Sequence, residues 1–281
     1  MERTWRTSKR EIDYVARPLV MGILNVTPDS FSDGGEFLSV EAALRQAEKI
    51  ISDGADIIDI GGESTRPGSQ QVSGEEEIRR VIPVIEAISK RFETPISVDT
   101  TKSEVAEKAI EAGAEIINDI SGLRFDPRIV DIAATSNAGL VLMNSRGSHD
   151  TMHLQPLIDD ILREINSDLH RAIDLAKTRG VHDEQIALDV GIGFSKTFEQ
   201  NLELLAKLDK LIAEFKGYPM MVGTSRKSFL ATIVGEMPPT ERLGGSLATA
   251  IFAVIKGANI IRVHDVRETV NALRVISAIP K

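Results

Sequence analysis

The chain has 281 residues, 33 Lys and Arg against 42 Asp and Glu, a formal net charge of −9, and no cysteine. That balance excludes a broad electrostatic footprint for nucleic acid or an anionic membrane, although clustered cations or a bound metal can reverse the sign inside a cleft. The lack of cysteine excludes disulfides, thiolate catalysis and Cys-built metal sites, and with neither an apolar leader nor a run of about 18 apolar residues, a cytoplasmic, membrane-free setting is expected.

Short apolar, β-branched runs lie at residues 19–24, 56–60, 96–98, 115–120, 139–143, 186–190, 220–223 and 259–263, and longer amphipathic segments separate them. Most of the runs are near-continuously apolar, as parallel strands buried on both faces are. The helical segments carry start signals. Ser39 precedes a stretch in which Ala43, Leu44, Ala47, Ile50 and Ile51 share one face. Ser73 and Glu76, Thr101 and Glu104, and Thr197 and Gln200 have capping-box spacing. Pro127 and Pro156 suit first helical positions, and Pro83 inside a helical pattern predicts a kink. Eight such repeats predict an α/β chain folded as a single (β/α)8 TIM barrel over residues 18–281, behind an N-terminal extension at 1–17. A doubly wound sheet is the alternative. The count of eight and the lack of GxGxxG after the first strand favour the barrel.

The unusual polar residues follow the strand-like runs directly, and in a barrel those positions surround one site at the C-terminal face. After the first strand comes a loop of small polar residues, 25–35. There Asn25 offers a carbonyl oxygen to a hard cation and Asp33 a carboxylate; the segment reads as an active-site lid or as a solvated turn. The second strand ends in residues 59–68 (DIGGESTRPG), which combine exposed backbone N–H groups, the Ser64 and Thr65 hydroxyls and the Arg66 cation, a set suited to phosphate or carboxylate. Asp99, Asn118 and Asp189 end the third, fourth and sixth strands. A flat nitrogen heterocycle with several N–H donors would satisfy them, and so would rim salt bridges or helix caps. After strands seven and eight, Lys227, Arg262 and His264 supply positive charge where this fold often binds phosphate. Arg226 is expected in an outward ion pair, and Asp265, with Glu268 at capping spacing, as the next helix's cap. His149 and His153 are four apart with no third ligand apparent and read as loop residues.

Seven segments in order carry a resemblance: MGILNVTPDSFSDGG at 21–35, DIGGESTRPG, SVDT at 97–100, IINDISG at 116–122, LDVGIGFSKT at 188–197, GTSRKSFL at 223–230 and RVHD at 262–265. From residue 19 to the C-terminus the chain resembles the dihydropteroate synthases, a pterin-binding family. The resemblance implies an enzyme of folate biosynthesis that joins a pterin pyrophosphate to para-aminobenzoate, releasing pyrophosphate with help from Mg2+. It implies Asp99, Asn118, Met143, Asp189, Phe194, Lys227 and Arg262 at the pterin. It implies Asn25, Thr65, Arg262 and His264 at the pyrophosphate, with Asn25 on the metal. Phe31, Arg66, Pro67, Lys227 and Ser228 would meet para-aminobenzoate, and Asp33, Asp99, Lys227, Arg262 and His264 would act in an SN1-like substitution. It further implies sulfonamide competition and a homodimer through the later helices, for which residues 247–255 are apolar enough. The chain departs from the family at Asn144 and Ser145, where a His-Met pair is usual, and at Val190, where proline is frequent; both affect pocket shape. The alternatives are a pterin-binding methyltransferase domain, which lacks the full first two loops, and a non-catalytic pterin-binding paralogue.

Overall fold

The computed structural model describes residues 4–27, 35–64, 69, 71–147, 151 and 158–279. A hairpin of β1 (Thr4–Arg6) and β2 (Glu11–Asp13) precedes β3 (Leu19–Asn25), α1 (Gly35–Ser52), β4 (Ile57–Gly61), α2 (Gly74–Ser89), β5 (Ile96–Asp99), α3 (Ser103–Ala112), β6 (Ile116–Asp119) and α4 (Ile129–Ser136). There follow β7 (Gly139–Met143), α5 (Ile161–Thr178), β8 (Ile186–Asp189), α6 (Phe198–Ala206), α7 (Leu208–Glu214), β9 (Met220–Val222), α8 (Ser228–Val234), α9 (Leu243–Ile255), β10 (Ile260–Val263) and α10 (Val266–Ala278). Strands β3 to β10 pair in sequence order, and β10 returns to β3 to close the barrel. That closure excludes the doubly wound sheet. Every barrel pairing is parallel. Among the described residues, no helix is long and apolar enough to cross a membrane.

Local chemistry explains some of the boundaries. Ser73 caps α2 by accepting from the Glu76 N–H, and Thr197 and Gln200 form the full reciprocal capping box at α6. The expected cap at Thr101 is not used. Lys102 occupies the N-cap of α3 without a side-chain bond, and the Asp126 carboxylate accepts from the Ser103 N–H at 3.0 Å instead. A carboxylate brought in from the next loop outcompetes the local hydroxyl because a charged acceptor binds an N–H more strongly. Ser39 lies inside α1, which begins at Gly35. Pro127 precedes α4 rather than opening it, Pro156 lies outside the described residues, and α2 runs through Pro83 without a break.

The barrel interior is built in layers. Because side chains alternate along a strand, Met21, Ile57, Ile116, Val141, Ala187, Met221 and Ile260 form one apolar layer, closed from below by Trp5 of the hairpin and by Tyr14 and Leu19. Trp5 is fully buried, and its indole N–H donates to the Gln185 carbonyl at 2.8 Å. Trp5→Ala is expected to cost about 3–5 kcal/mol through the cavity it opens. A urea melt should show the loss while the pocket at the other end of the barrel keeps its activity at low temperature.

Candidate active site

Two residues beyond that apolar layer, each strand presents its next inward side chain: Ile23, Asp59, Asn118, Met143, Asp189, Gly223 and Arg262, with Asp99 of β5 in register with Asn118. The interior thus turns from apolar to polar within one step of the pleat, at the C-terminal end of the strands. A cleft opens there, lined from the strands by Ile23, Asp99, Asn118, Met143, Asp189, Gly223 and Arg262, and from the loops by Ile120, Phe194, Ser225, Lys227 and His264.

Arg262 is the electrostatic hub. Its Nε donates to Asp59 Oδ2 and its Nη2 to Asp99 Oδ2, each at 2.6 Å. Burial disfavours its charge, but Asp59 and Asp99 outweigh that and hold its pKa above the ordinary value. Burial raises Asp99, with Arg262 opposing and Asp59 reinforcing the rise. Asp189 is 5 % exposed and also raised by burial, against the Gly191 N–H, which donates to its Oδ1 at 2.7 Å. Gly191 has φ +67°, and a Cβ there would fall 2.0 Å from the Asn144 carbonyl oxygen, so the turn after β8 requires glycine.

Lys227 reaches across the cleft. Its ammonium donates to the Ile192 carbonyl at 2.5 Å and sits 4.0 Å above the centre of the Phe194 ring, a cation–π arrangement. Burial depresses its pKa to about 8, with Asp189 and Asp99 opposing and Arg262 reinforcing the drop. Ser228 is exposed at the first turn of α8. His264 Nδ1 lies 3.1 Å from Ser225 Oγ, which also accepts from the His264 backbone N–H at 3.2 Å. Asn25 ends β3 opposite Gly61, and its Oδ1 and Asp99 Oδ2 lie 3.9 and 3.8 Å from the point where a Gly61 side chain would begin. The ends of β3 and β5 therefore bring side-chain oxygens toward Gly61 of β4, which has no side chain to separate them.

The structure thus brings Asp99, Asn118, Met143, Asp189, Phe194, Lys227, Arg262 and His264 to one cleft, with Asn25 and Ser228 at described positions on the same face. Phe31, Asp33, Thr65, Arg66, Pro67, His149 and His153 lie outside the described residues. Arg226 forms the expected ion pair, with Asp265 at 2.5 Å. Asp265 occupies the N-cap of α10 but does not cap it with its side chain, because that carboxylate is held by Arg226.

Two residues escape a reading based on strand ends. Asp59, fully buried, joins Arg262 to Asn118. Lys196 donates to Asn144 Oδ1 at 2.8 Å and to the Gly191 and Phe194 carbonyls at 2.8 and 3.1 Å. Burial lowers its pKa to about 7. Asn144, one of the departures from the family pattern, also donates to Asp168 at 2.9 Å. It therefore serves the loop that carries Phe194.

A family model described as "Pterin binding enzyme" matches residues 21–264. The chain is similar to the dihydropteroate synthase of Synechocystis sp., with 48% identity over 267 residues that cover 95% of this chain and 92% of the relative. Among solved structures it is similar to Xanthomonas albilineans dihydropteroate synthase with 4-aminobenzoic acid, at TM-score 0.92 and 41% identity over 100% of both chains. It is also similar to Yersinia pestis dihydropteroate synthase in a sulfonamide drug complex, at TM-score 0.90 and 42% identity over 98% of both chains.

Proposed function

The chain belongs to the dihydropteroate synthases of the pterin-binding enzyme family, and from that premise we propose that its cleft joins a pterin pyrophosphate to para-aminobenzoate, giving dihydropteroate and pyrophosphate. The observation that carries this is the meeting of two burial-raised carboxyl groups, Asp99 and Asp189, with two cations, Lys227 and Arg262, around one small cleft. A heterocycle with N–H donors on one edge and acceptors on another complements that set. The acceptors are Asp99, Asp189 and Asn118, Lys227 donates, and Met143 and Phe194 supply apolar contact for the ring. Arg262, His264, Asn25 and, beyond the described residues, Thr65 bind the pyrophosphate. Lys227 and Ser228, with Phe31, Arg66 and Pro67, meet para-aminobenzoate.

Mg2+ belongs to this reading. Among the described residues no group of three or more His, Asp or Glu side chains is placed to hold a metal. A site built on the Asn25 carbonyl oxygen fits a cation that takes few protein ligands and fills its shell with substrate phosphate and water. When bound there, the ion supplies positive charge that neutralises the departing pyrophosphate. The protein's own part is to hold the two substrates in line and to stabilise separated charge. The bond from the pterin methylene carbon to the pyrophosphate oxygen breaks, and pyrophosphate leaves with the electron pair against Arg262 and His264. The methylene cation is stabilised by the pterin ring and by the negative charge of Asp99, with Asp33 as a second contributor. The neutral aromatic amine forms the new C–N bond and then releases a proton, so no strong base is required.

Two further elements stand with this reading. Phe252 and Ile255 of α9 and Val275 of α10 are exposed apolar residues, which supports a homodimer through these helices. A chain without cysteine needs no oxidising compartment, in keeping with a cytoplasmic setting. The test is a condensation assay. Pyrophosphate and dihydropteroate should appear only with pterin pyrophosphate, para-aminobenzoate and Mg2+ all present, and sulfonamides should compete with para-aminobenzoate. No product under those conditions would sink the enzymatic reading.

A further inference from the structure

Asp59 does not line the cleft, yet it touches two residues that do. Its Oδ2 accepts from Arg262 Nε at 2.6 Å and from Asn118 Nδ2 at 3.0 Å. It is fully buried, and Asn118 is 1 % exposed. An ionised carboxylate can only accept, so an amide facing it must turn its NH2 toward it and its carbonyl oxygen away. That oxygen, Asn118 Oδ1, is buried and has no hydrogen-bond partner among the described residues. Arg262 is constrained in the same way: Asp59 takes its Nε and Asp99 its Nη2, which fixes the plane of the guanidinium.

We propose that Asp59 is a positioning residue that sets the hydrogen-bond polarity of the pterin pocket, forcing Asn118 to present an acceptor and so selecting a ring edge that bears N–H donors. The inference rests on the pterin reading of the cleft. Without Asp59 the two orientations of the Asn118 amide would be nearly equivalent, since among the described residues no other charged side chain is hydrogen-bonded to it. With Asp59, a ligand offering an acceptor at that edge meets the Asn118 oxygen and leaves two acceptors face to face. A ligand N–H instead satisfies a buried group that is otherwise costly to leave unpaired.

The test uses the whole protein and 6-hydroxymethylpterin as the probe, with binding measured by calorimetry. Asp59→Asn is nearly isosteric but can donate to Asn118 Oδ1, which releases the amide to flip. The probe should bind on the order of 10- to 100-fold more weakly, the range set by one unsatisfied buried polar contact. The KM for pterin pyrophosphate should rise in parallel, while that for para-aminobenzoate stays within about two-fold, a small change of the size that separate sites impose on each other. In an Asn118→Ala background the same substitution should cost clearly less, because the amide it acts through is gone. A purely structural role would instead give additive losses and move both KM values together, and that result would overturn the proposal. The wild-type protein offers a readout independent of how the variant folds. 6-Hydroxymethyllumazine, with a carbonyl in place of the 2-amino donor, should bind more weakly than the pterin, and equal binding would also overturn it. Failure of the wild type to bind the pterin at all would refute the reading of the cleft itself.

Discussion

Lys227→Ala is expected to lower kcat/KM on the order of 10²- to 10³-fold, the loss seen when one fixed charge-stabilising donor is removed from a site, with the barrel still folded. Lys227 is the cation that serves both proposed subsites. It bonds the Ile192 carbonyl, covers the Phe194 ring and stands within electrostatic reach of Asp189. Alanine removes the donor and leaves Asp189 without its nearest opposing cation, so the heterocycle loses a contact and the pocket loses its charge balance. The fold should survive because Lys227 contributes little to stability at neutral pH. Its pKa in the fold is depressed to about 8 from the ordinary 10.5. The native state therefore holds this proton less firmly than the unfolded chain, and the full cost of charging the buried amine is present below pH 8. That cost fades only as pH rises from about 8 toward the unfolded value. Removing the side chain at pH 7 relieves the cost and offsets much of what Asp189 loses. The same depressed value predicts that wild-type kcat/KM falls as pH passes above about 8, when Lys227 loses its proton. A pH-rate profile of the wild type and a circular-dichroism melt of the variant check both halves. Near-normal turnover in a folded variant would remove Lys227 from the site.

The barrel was legible in the sequence because parallel strands buried on both faces leave near-continuous apolar runs, and all eight runs became strands with ends shifted by a residue or so. The hairpin was not. Thr4–Arg6 and Glu11–Asp13 are three residues each and mostly polar or charged, and only Trp5, which closes the barrel floor, shows what they are for. The site residues at strand ends were legible because polar side chains there break an apolar run. Asp59 breaks one too, but it lies within its strand and reads as part of the loop motif that follows. Counting the pleat would have found it. Asp59 is two residues past Ile57, as Arg262 is past Ile260, Asn118 past Ile116 and Asp189 past Ala187, so all four belong to one inward layer. Lys196 carries no such signal. Its side-chain partner Asn144, which in turn donates to Asp168, lies far away in sequence, and only folding brings them together. The same limit defeated the expected caps. Thr101 and Asp265 have the right local spacing, but Asp126 supplies the cap at α3 and Arg226 claims the Asp265 carboxylate, both from distant positions.

Arg262→Met should abolish measurable condensation and also destabilise the fold, and the two effects can be separated. The arginine lies between Asp59, which is fully buried, and Asp99. Removing one partner of a buried ion pair costs about 3–5 kcal/mol, because the remaining charge is left without compensation. For a chain of this size that corresponds to a fall in Tm on the order of 10 °C. Arg262→Lys should fall between the two, since lysine keeps the charge but cannot donate to both carboxylates from a fixed plane. The decisive variant is Arg262→Met combined with Asp59→Asn. If the stability loss comes from the stranded Asp59 charge, neutralising Asp59 should restore much of the Tm. Activity should not return, because the group proposed to hold the departing pyrophosphate is still missing. Calorimetric melts and the condensation assay on the three proteins check this together. Recovery of neither quantity would show that Asp59 is not the charge Arg262 compensates, and recovery of both would show that Arg262 acts on the fold alone.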